Sequence, residues 1–467
     1  MKGTHKSLAA IFALIIGLSA FFGTPGTADA QQPSKKQVKQ AKQLYDEADR
    51  EMRAKNYEGA IAKYAASLQI VPVNAPAHFW KGNAHYYLKQ NDLALAELDM
   101  ALTQGYKADD VYKVRWYLHY ENKDFEAALA DLKPLLESDP KNLQYLTHLG
   151  EISFSKGDYA VALDAFQKAV LQDPTRGNLY YNIAETQSKL GNIDGQGEAA
   201  EEAVKKNTQF LAESLLLLGD ARQKQKRFPE AINAYRRALS SKPDIYQLYR
   251  TLGDLYRGEG RINEAIEISK EGLRRFPRDG NLYTDLGWYY SVAGRHDEAV
   301  QASQSGVSLL PAQPTAYTNL CRAYNDQKKY ELAISTCKQA LRLSPNDGET
   351  YYYMGRASEA LNRRDEAARY YKSAVTGLET FTQNNPEFSD GFYLLGNAYF
   401  ADGQMDKSIQ AYGRSLELNP NFARTRYNAG AVYVHMKRKG DALAQYEKLV
   451  PLDADLAKLL KQAIDGM

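Results

Sequence analysis

An all-α solenoid of about twelve stacked helical hairpins is the fold that this 467-residue sequence predicts, and three periodic registers predict it. Prolines stand at 140, 174, 243, 277, 311 and 345, in steps of 34 or of twice 34 plus one. They return at Pro386 and Pro420 after a seven-residue insertion. Alanines keep the same period at 60, 94, 128, 162, 231, 265, 299, 333, 367 and 442. A third register holds mostly small residues: Gly82, Gly150, Ala184, Gly219, Gly253, Gly287, Cys321, Gly355, Gly396 and Gly430.

The first thirty residues lie outside that period. Lys2 and Lys6 precede the apolar run LAAIFALIIGLSAFFG, and the TPGTADA that follows ends in Ala28-Asp29-Ala30, a small-x-small cleavage pattern. Residues 1–30 therefore read as a secretory signal peptide cleaved after Ala30. The alternative, a retained anchor, is disfavoured because a span needs about 20 apolar residues. No cysteine follows the run, so lipid attachment is not expected there. Export predicts a periplasmic (bacterial) or secreted protein. Residues 31–40 read as a polar segment ahead of the array.

The repeats fill residues 41–450. In NLYTDLGWYYSVAGRHDEAVQASQSGVSLLP, Tyr283, Leu286, Gly287 and Tyr290 fall at three- and four-residue steps and share one helical face. Gly294 serves the reversal, and Ala299 and Gly306 mark the inner face of a second helix. Gly287 and Ala299 carry little side chain, so the two helices can approach closely where they cross. Pro311 lacks an amide proton and ends the second helix. Such a hairpin cannot bury its apolar faces alone and must stack on its neighbours.

Departures from the pattern mark irregular joints. Tyr106 replaces a terminal proline, Trp116 fills a small slot, and Pro134 falls inside a second helix. Gln196 and Thr208 replace the alanine and proline of the fifth repeat. The insertion TGLETFTQ lengthens either the second helix of the tenth repeat or its exit loop. Residues 451–467 read as a C-terminal capping helix, with Leu456, Leu459, Leu460 and Ile464 on one face and Lys458, Lys461 and Gln462 elsewhere.

These residues resemble the tetratricopeptide repeat (TPR) family. YRTLGDLY, YTDLGWYY, YTNLCRAY and FYLLGNAY match its first helix, and EAINAYRRAL and YAVALDAFQKAV its second. The likeness covers nearly all of the chain after residue 40. It implies a right-handed superhelix whose groove is lined by the first helices.

Composition narrows the partners. Hydrophobic residues at 44% and charged residues at 25% suit a soluble folded protein. Loss of the signal peptide changes the net charge only from +2 to +1, which argues against nucleic acid or an anionic membrane as the main partner. The 34 tyrosines far outnumber the 15 phenylalanines, which predicts many rings buried beneath a wet hydroxyl.

Enzyme motifs are nearly absent. Gly195-Gln196-Gly197-Glu198-Ala199-Ala200 fits a loose dinucleotide fingerprint, but it falls at a helical turn without the strand that the motif needs. His78, His85 and His119 invite a metal reading. However, His85 and His119 occupy a slot filled later by Tyr256, Tyr290 and Tyr324, so packed histidines are expected. No catalysis, cofactor or metal is expected. Cys321 and Cys337 both face the interior of one hairpin. Export and an even count favour a bridge, whereas the expected opposition of Cys321 to Ala333 favours two buried thiols. Either way their role is structural.

Recognition is expected on the first-helix face turned away from the second helices. Tyr181, Tyr352 and Tyr393 supply aromatic candidates there. One residue past the small slot stand Glu185, Asp220, Asp254, Trp288, Arg322, Arg356 and Asn397, which predicts a groove acidic in its middle and basic beyond Trp288. The family's asparagine ladder is matched only at Asn182, Asn319 and Asn428. Its carboxylate clamp is not matched, because Tyr117 follows Lys113 at the required turn.

The sequence thus predicts an extracytoplasmic protein–protein interaction scaffold, not an enzyme, that binds a protein segment or peptide in its concave groove. Such a scaffold would assist assembly of an envelope or secreted complex. No nucleic acid and no membrane insertion after signal cleavage are expected, and the oligomeric state is left open. A glycan-binding or enzyme-associated accessory role is the alternative. A regulatory region of a larger enzyme, such as a TPR-bearing glycosyltransferase, is disfavoured by the cap near residue 467.

Overall fold

The computed structural model describes residues 32–467, so the expected signal peptide lies outside the described residues. Among these there are twenty-five α-helices and no strand, in two compact bodies, residues 32–158 and 159–467. None of the described helices is long and apolar enough to cross a membrane.

The N-terminal body holds three hairpins and the helix Leu143–Lys156. Its first helix, Lys35–Arg53, starts inside the segment that the sequence assigned to a polar leader. Ser34 makes this possible, because its side chain accepts from the Gln37 amide while Gln37 reaches back to the Ser34 amide. The third hairpin absorbs two irregular residues. Trp116 is buried in the small slot with its ring 4.7 Å from that of His148, and Pro134 stands inside Phe125–Ser138 without ending it.

The C-terminal body holds the helix Tyr159–Gln172, eight hairpins and a last helix, Ala454–Asp465. One apolar cluster runs through successive hairpins from Leu215 to Ala323. Each fully buried leucine within it contributes about 1.5–3 kcal/mol. The insertion lengthens a helix rather than a loop, giving Arg364–Asn384 its 21 residues. In the last helix Ala457, Leu460 and Ile464 are buried, but Leu459 is half exposed, so it does not share the apolar face predicted for it.

A single packing rule recurs within these hairpins. In most of them the small slot of the first helix meets the residue sixteen positions later on the second, whereas Gly253 faces Tyr289 and Gly430 faces Leu460. A methyl group on Gly219 would lie 2.4 Å from the Tyr235 ring, one on Gly355 would lie 2.5 Å from Tyr371, and one on Gly396 would lie 2.4 Å from Tyr412. Each ring rests where a β-carbon would be. Gly396→Ala should therefore cost about 1–3 kcal/mol by overpacking. Gly413→Ala lies in the partner helix, where nothing stands within 4 Å. It should stabilise by up to about 1 kcal/mol through helix propensity. Urea unfolding of the two variants checks the contrast, and matching midpoints would refute the packing rule.

The same rule corrects the reading of the cysteines. Cys321 and Cys337 are sixteen residues apart, hold α-carbons 5.3 Å apart and form a disulfide. The residue facing the small slot is thus the one in the ring position, not Ala333, and two sulfurs occupy the space that glycine and tyrosine share elsewhere.

Glycine is not what bends the hairpins. Gly260, Gly294 and Gly403 have positive φ at their turns, but so do Lys55, Lys89, Lys123, Lys226, Lys328, Asn362 and Lys437 at the equivalent turns. Packing of the two helices imposes the left-handed residue even where a β-carbon disfavours it.

Candidate functional site

Four repeat slots of the first helix fall at steps of three, four and three residues, so they form one face of an α-helix. Counted from the small slot, they lie six and three residues before it and one and four after it. In the C-terminal body this face carries Glu349 and Asp390, Tyr352 and Tyr393, then Trp288, Arg322, Arg356 and Asn397, then Arg257 and Ser291. All ten line one cavity of ≈ 420 Å³.

The body closes on itself around this cavity. Arg257, on Tyr246–Gly258, donates through Nη1 to both carboxylate oxygens of Asp390, on Ser389–Ala401, at 2.9 Å. Asn419 Nδ2 reaches the Gly258 carbonyl at 3.4 Å, and Arg424 Nη2 the Val292 carbonyl at 2.5 Å. These contacts join residues 132 to 161 positions apart.

Trp288 stands between two cations, with the Arg257 guanidinium 4.4 Å and that of Arg322 5.3 Å from its ring. Arg322 is 7% exposed, donates from Nη2 to Asn319 Oδ1 at 3.1 Å, and has its Nη1 3.8 Å from Glu349. Arg356 faces Asp326 at 3.9 Å. Burial pushes the Glu349 carboxyl up to about 7, with Asp347 and Asp390 adding to the rise and Arg322 opposing it. Its side chain keeps 29% exposure and lines two cavities.

That shift has a sign. A carboxyl whose pKa rises from its ordinary 4.5 to about 7 on folding holds its proton more tightly when folded. The folded state therefore loses stability as pH climbs through this window and bears the full penalty above it. Glu349→Gln removes the titration, so its melting temperature relative to the parent should be higher at about pH 8 than at about pH 5. An unchanged difference would mean that Glu349 titrates normally.

Six of the ten predicted site residues are brought together in the cavity: Trp288, Arg322, Tyr352, Arg356, Tyr393 and Asn397. Four are not among its lining. Tyr181 packs on Phe210, ring centroids 4.6 Å apart, beside Glu185. Asp220 accepts from Gln196 Nε2 at 2.9 Å and pairs with Lys224 at 2.7 Å. Asp254 accepts from the Tyr289 hydroxyl at 3.3 Å and stands 3.9 Å from Arg257 Nε, and desolvation raises its carboxyl. The acidic stripe is thus partly engaged within the fold. The region beyond Trp288 is mixed in charge rather than basic, because Glu349 and Asp326 face its arginines. Asn397 accepts from Tyr412 at 2.6 Å and from Asn428 at 2.7 Å.

Arg257, Ser291, Glu349 and Asp390 escaped the sequence reading. Periodicity could have found them, since each pair occupies one slot of the repeat. The histidines are engaged locally: His78 Nδ1 lies 2.6 Å from Glu97 and His85 Nδ1 2.6 Å from Gln90. Among the described residues no group of three or more His, Cys, Asp or Glu is arranged to hold a metal ion.

Models described as tetratricopeptide repeat match residues 45–109, 117–178, 181–246, 216–280 and 250–314, and also 314–347, while one described as TPR repeat matches 396–437. The chain is 37% identical over 82 residues to the UDP-N-acetylglucosamine–peptide N-acetylglucosaminyltransferase of Giardia intestinalis, covering 18% of this chain and 6% of that protein. It is 26% identical over 159 residues to small glutamine-rich tetratricopeptide repeat-containing protein 2 of Mycosarcoma maydis, covering 34% and 35%. A photosystem I assembly protein of Acaryochloris marina is 26% identical over 117 residues, covering 24% and 67%. The chain therefore spans about a third or less of the length of the first two relatives. Similar solved structures include MamA, at 25% identity over 37% of this chain and 95% of that one, with a TM-score of 0.33. Another is a tetratricopeptide repeat protein from Parabacteroides merdae, at 14% identity over 54% and 98%, with a TM-score of 0.38. On the repeat models, which match more than half of its length, this chain belongs to the tetratricopeptide repeat family.

Proposed function

We propose that this protein–protein interaction scaffold works outside the cytoplasm, without chemistry of its own, and holds a segment of a partner protein along the first-helix face of its C-terminal body. The observation that carries the reading is convergence. Trp288, Arg322, Tyr352, Arg356, Tyr393 and Asn397 come from four successive first helices and meet at one concavity. Tryptophan, tyrosine and arginine are the residue types that dominate binding energy at protein interfaces. The Cys321–Cys337 bridge supports an oxidising compartment. Similarity to a photosystem I assembly protein supports a role in assembling an envelope or secreted complex.

Affinity capture from an envelope extract, followed by mass spectrometry, tests the partner. The double variant Trp288→Ala, Arg356→Glu should lose the partner with its helical content unchanged. Arg237→Ala, exposed on a second helix, should keep it. Equal capture by all three proteins would move recognition away from this face. N-terminal sequencing of the mature protein should begin at Gln31, and a start at Met1 would contradict export by cleavage.

A further inference from the structure

Three buried polar atoms on residues that line the cavity have no hydrogen-bond partner: Arg257 Nε, Ser291 Oγ and Arg322 Nε. All three can donate, and an unmet donor in a desolvated place is costly. Arg322 is more than nine-tenths buried, and its only carboxylate, Glu349, stands off at 3.8 Å. Asp390 is engaged by Arg257 Nη1 rather than by Arg322. The three buried atoms are closed off from a ligand, whereas Arg322 Nη1, whose nearest carboxylate oxygen is 3.8 Å away, is a donor left open at the site. Rings of Trp288, Tyr352, Tyr353, Tyr393 and Phe422 complete the wall. A volume of ≈ 420 Å³ is that of a small-molecule site, and the bridges from Arg257, Asn419 and Arg424 span the body beside it.

We infer that the cavity binds a small free organic acid, its carboxylate on Arg322 Nη1 and its planar body against the ring wall. This goes beyond the partner segment and does not depend on it. Glu349 competes for Arg322 when ionised, so binding strengthens as Glu349 takes up its proton. The groups facing that carboxyl are Arg322 and Asp390 from neighbouring first helices, with Asp347 and Tyr353 from its own repeat.

Benzoate is the probe. The purified mature chain should give saturable benzoate binding at millimolar concentration, read by ligand-observed saturation-transfer NMR. Acetate lacks the ring and benzyl alcohol lacks the charge, so each should bind about tenfold more weakly or worse. Arg322→Gln should weaken benzoate by a similar factor. Glu349→Gln leaves Arg322 in place and should bind benzoate more tightly than the parent at about pH 8, with the gap closing near pH 5. Because this second variant gains affinity, a folding defect in the first cannot mimic the result. Absence of saturable benzoate binding overturns the inference, as does equal binding of benzyl alcohol or an unchanged affinity in Glu349→Gln at the higher pH. None of these failures bears on capture of a protein partner.

Discussion

Replacing Cys321 and Cys337 together by alanine should destabilise the C-terminal body by about 3 kcal/mol. The bridge closes a loop of sixteen residues, and the chain entropy that a loop of this length removes from the unfolded state corresponds to about that value. Both sulfurs are fully buried, so a reductant will act only as the hairpin opens. The double variant is therefore the cleaner comparison, read by urea unfolding. Cys321→Gly with Cys337→Tyr adds a sharper arm, because it rebuilds the glycine–ring contact of the following hairpin, Gly355 with Tyr371. It should regain packing but not the cross-link, and so fall between the parent and the double-alanine protein. Denatured, unreduced protein should take up no thiol-alkylating group; uptake of two would show that the bridge is not made.

Asp390→Ala should be comparably costly, at about 3 kcal/mol. It leaves the Arg257 guanidinium, whose side chain is 15% exposed, without its hydrogen-bonded carboxylate and with only Asp254, 3.9 Å from Nε, beside it. Removing one member of a buried pair costs about 3–5 kcal/mol, whereas replacing both by apolar residues is often neutral. Arg257→Met with Asp390→Leu should accordingly recover most of the loss. Hydrogen exchange adds a spatial readout: amides of Tyr246–Gly258 and of residues 419–424 should exchange faster in Asp390→Ala than in the parent. A urea midpoint and exchange rates equal to the parent's would mean that the closure contributes nothing to the fold.

Much of the architecture was legible because repeat packing is local. Proline, alanine and small-residue registers each mark a contact within one hairpin or between neighbours, so a period of 34 states where helices begin, cross and end. The sixteen-residue relation was equally present, in Gly219 with Tyr235 and Gly396 with Tyr412. That relation pairs Cys321 with Cys337. The smallest side chain of the second helix, Ala333, does not mark the crossing, because the ring position is what lies over the small slot. Leu459 misled for a similar reason: it is as apolar as Leu460 but points away from the array.

The sequence by itself determined the helical hairpins, their number and stacking order, and the face of the first helix on which Trp288, Arg322, Tyr352, Arg356, Tyr393 and Asn397 lie. Only the tertiary structure decided that these residues meet at a cavity, that Asp220 and Asp254 are not among its lining, and that Arg257 reaches Asp390. The physical reason is curvature. Each repeat turns a little relative to the one before it, and this rotation accumulates from many small side-chain choices along the stack. No periodic register states the sum. Whether two first helices 133 residues apart come within hydrogen-bonding distance depends on that sum, and a 21-residue helix lies in the intervening stack.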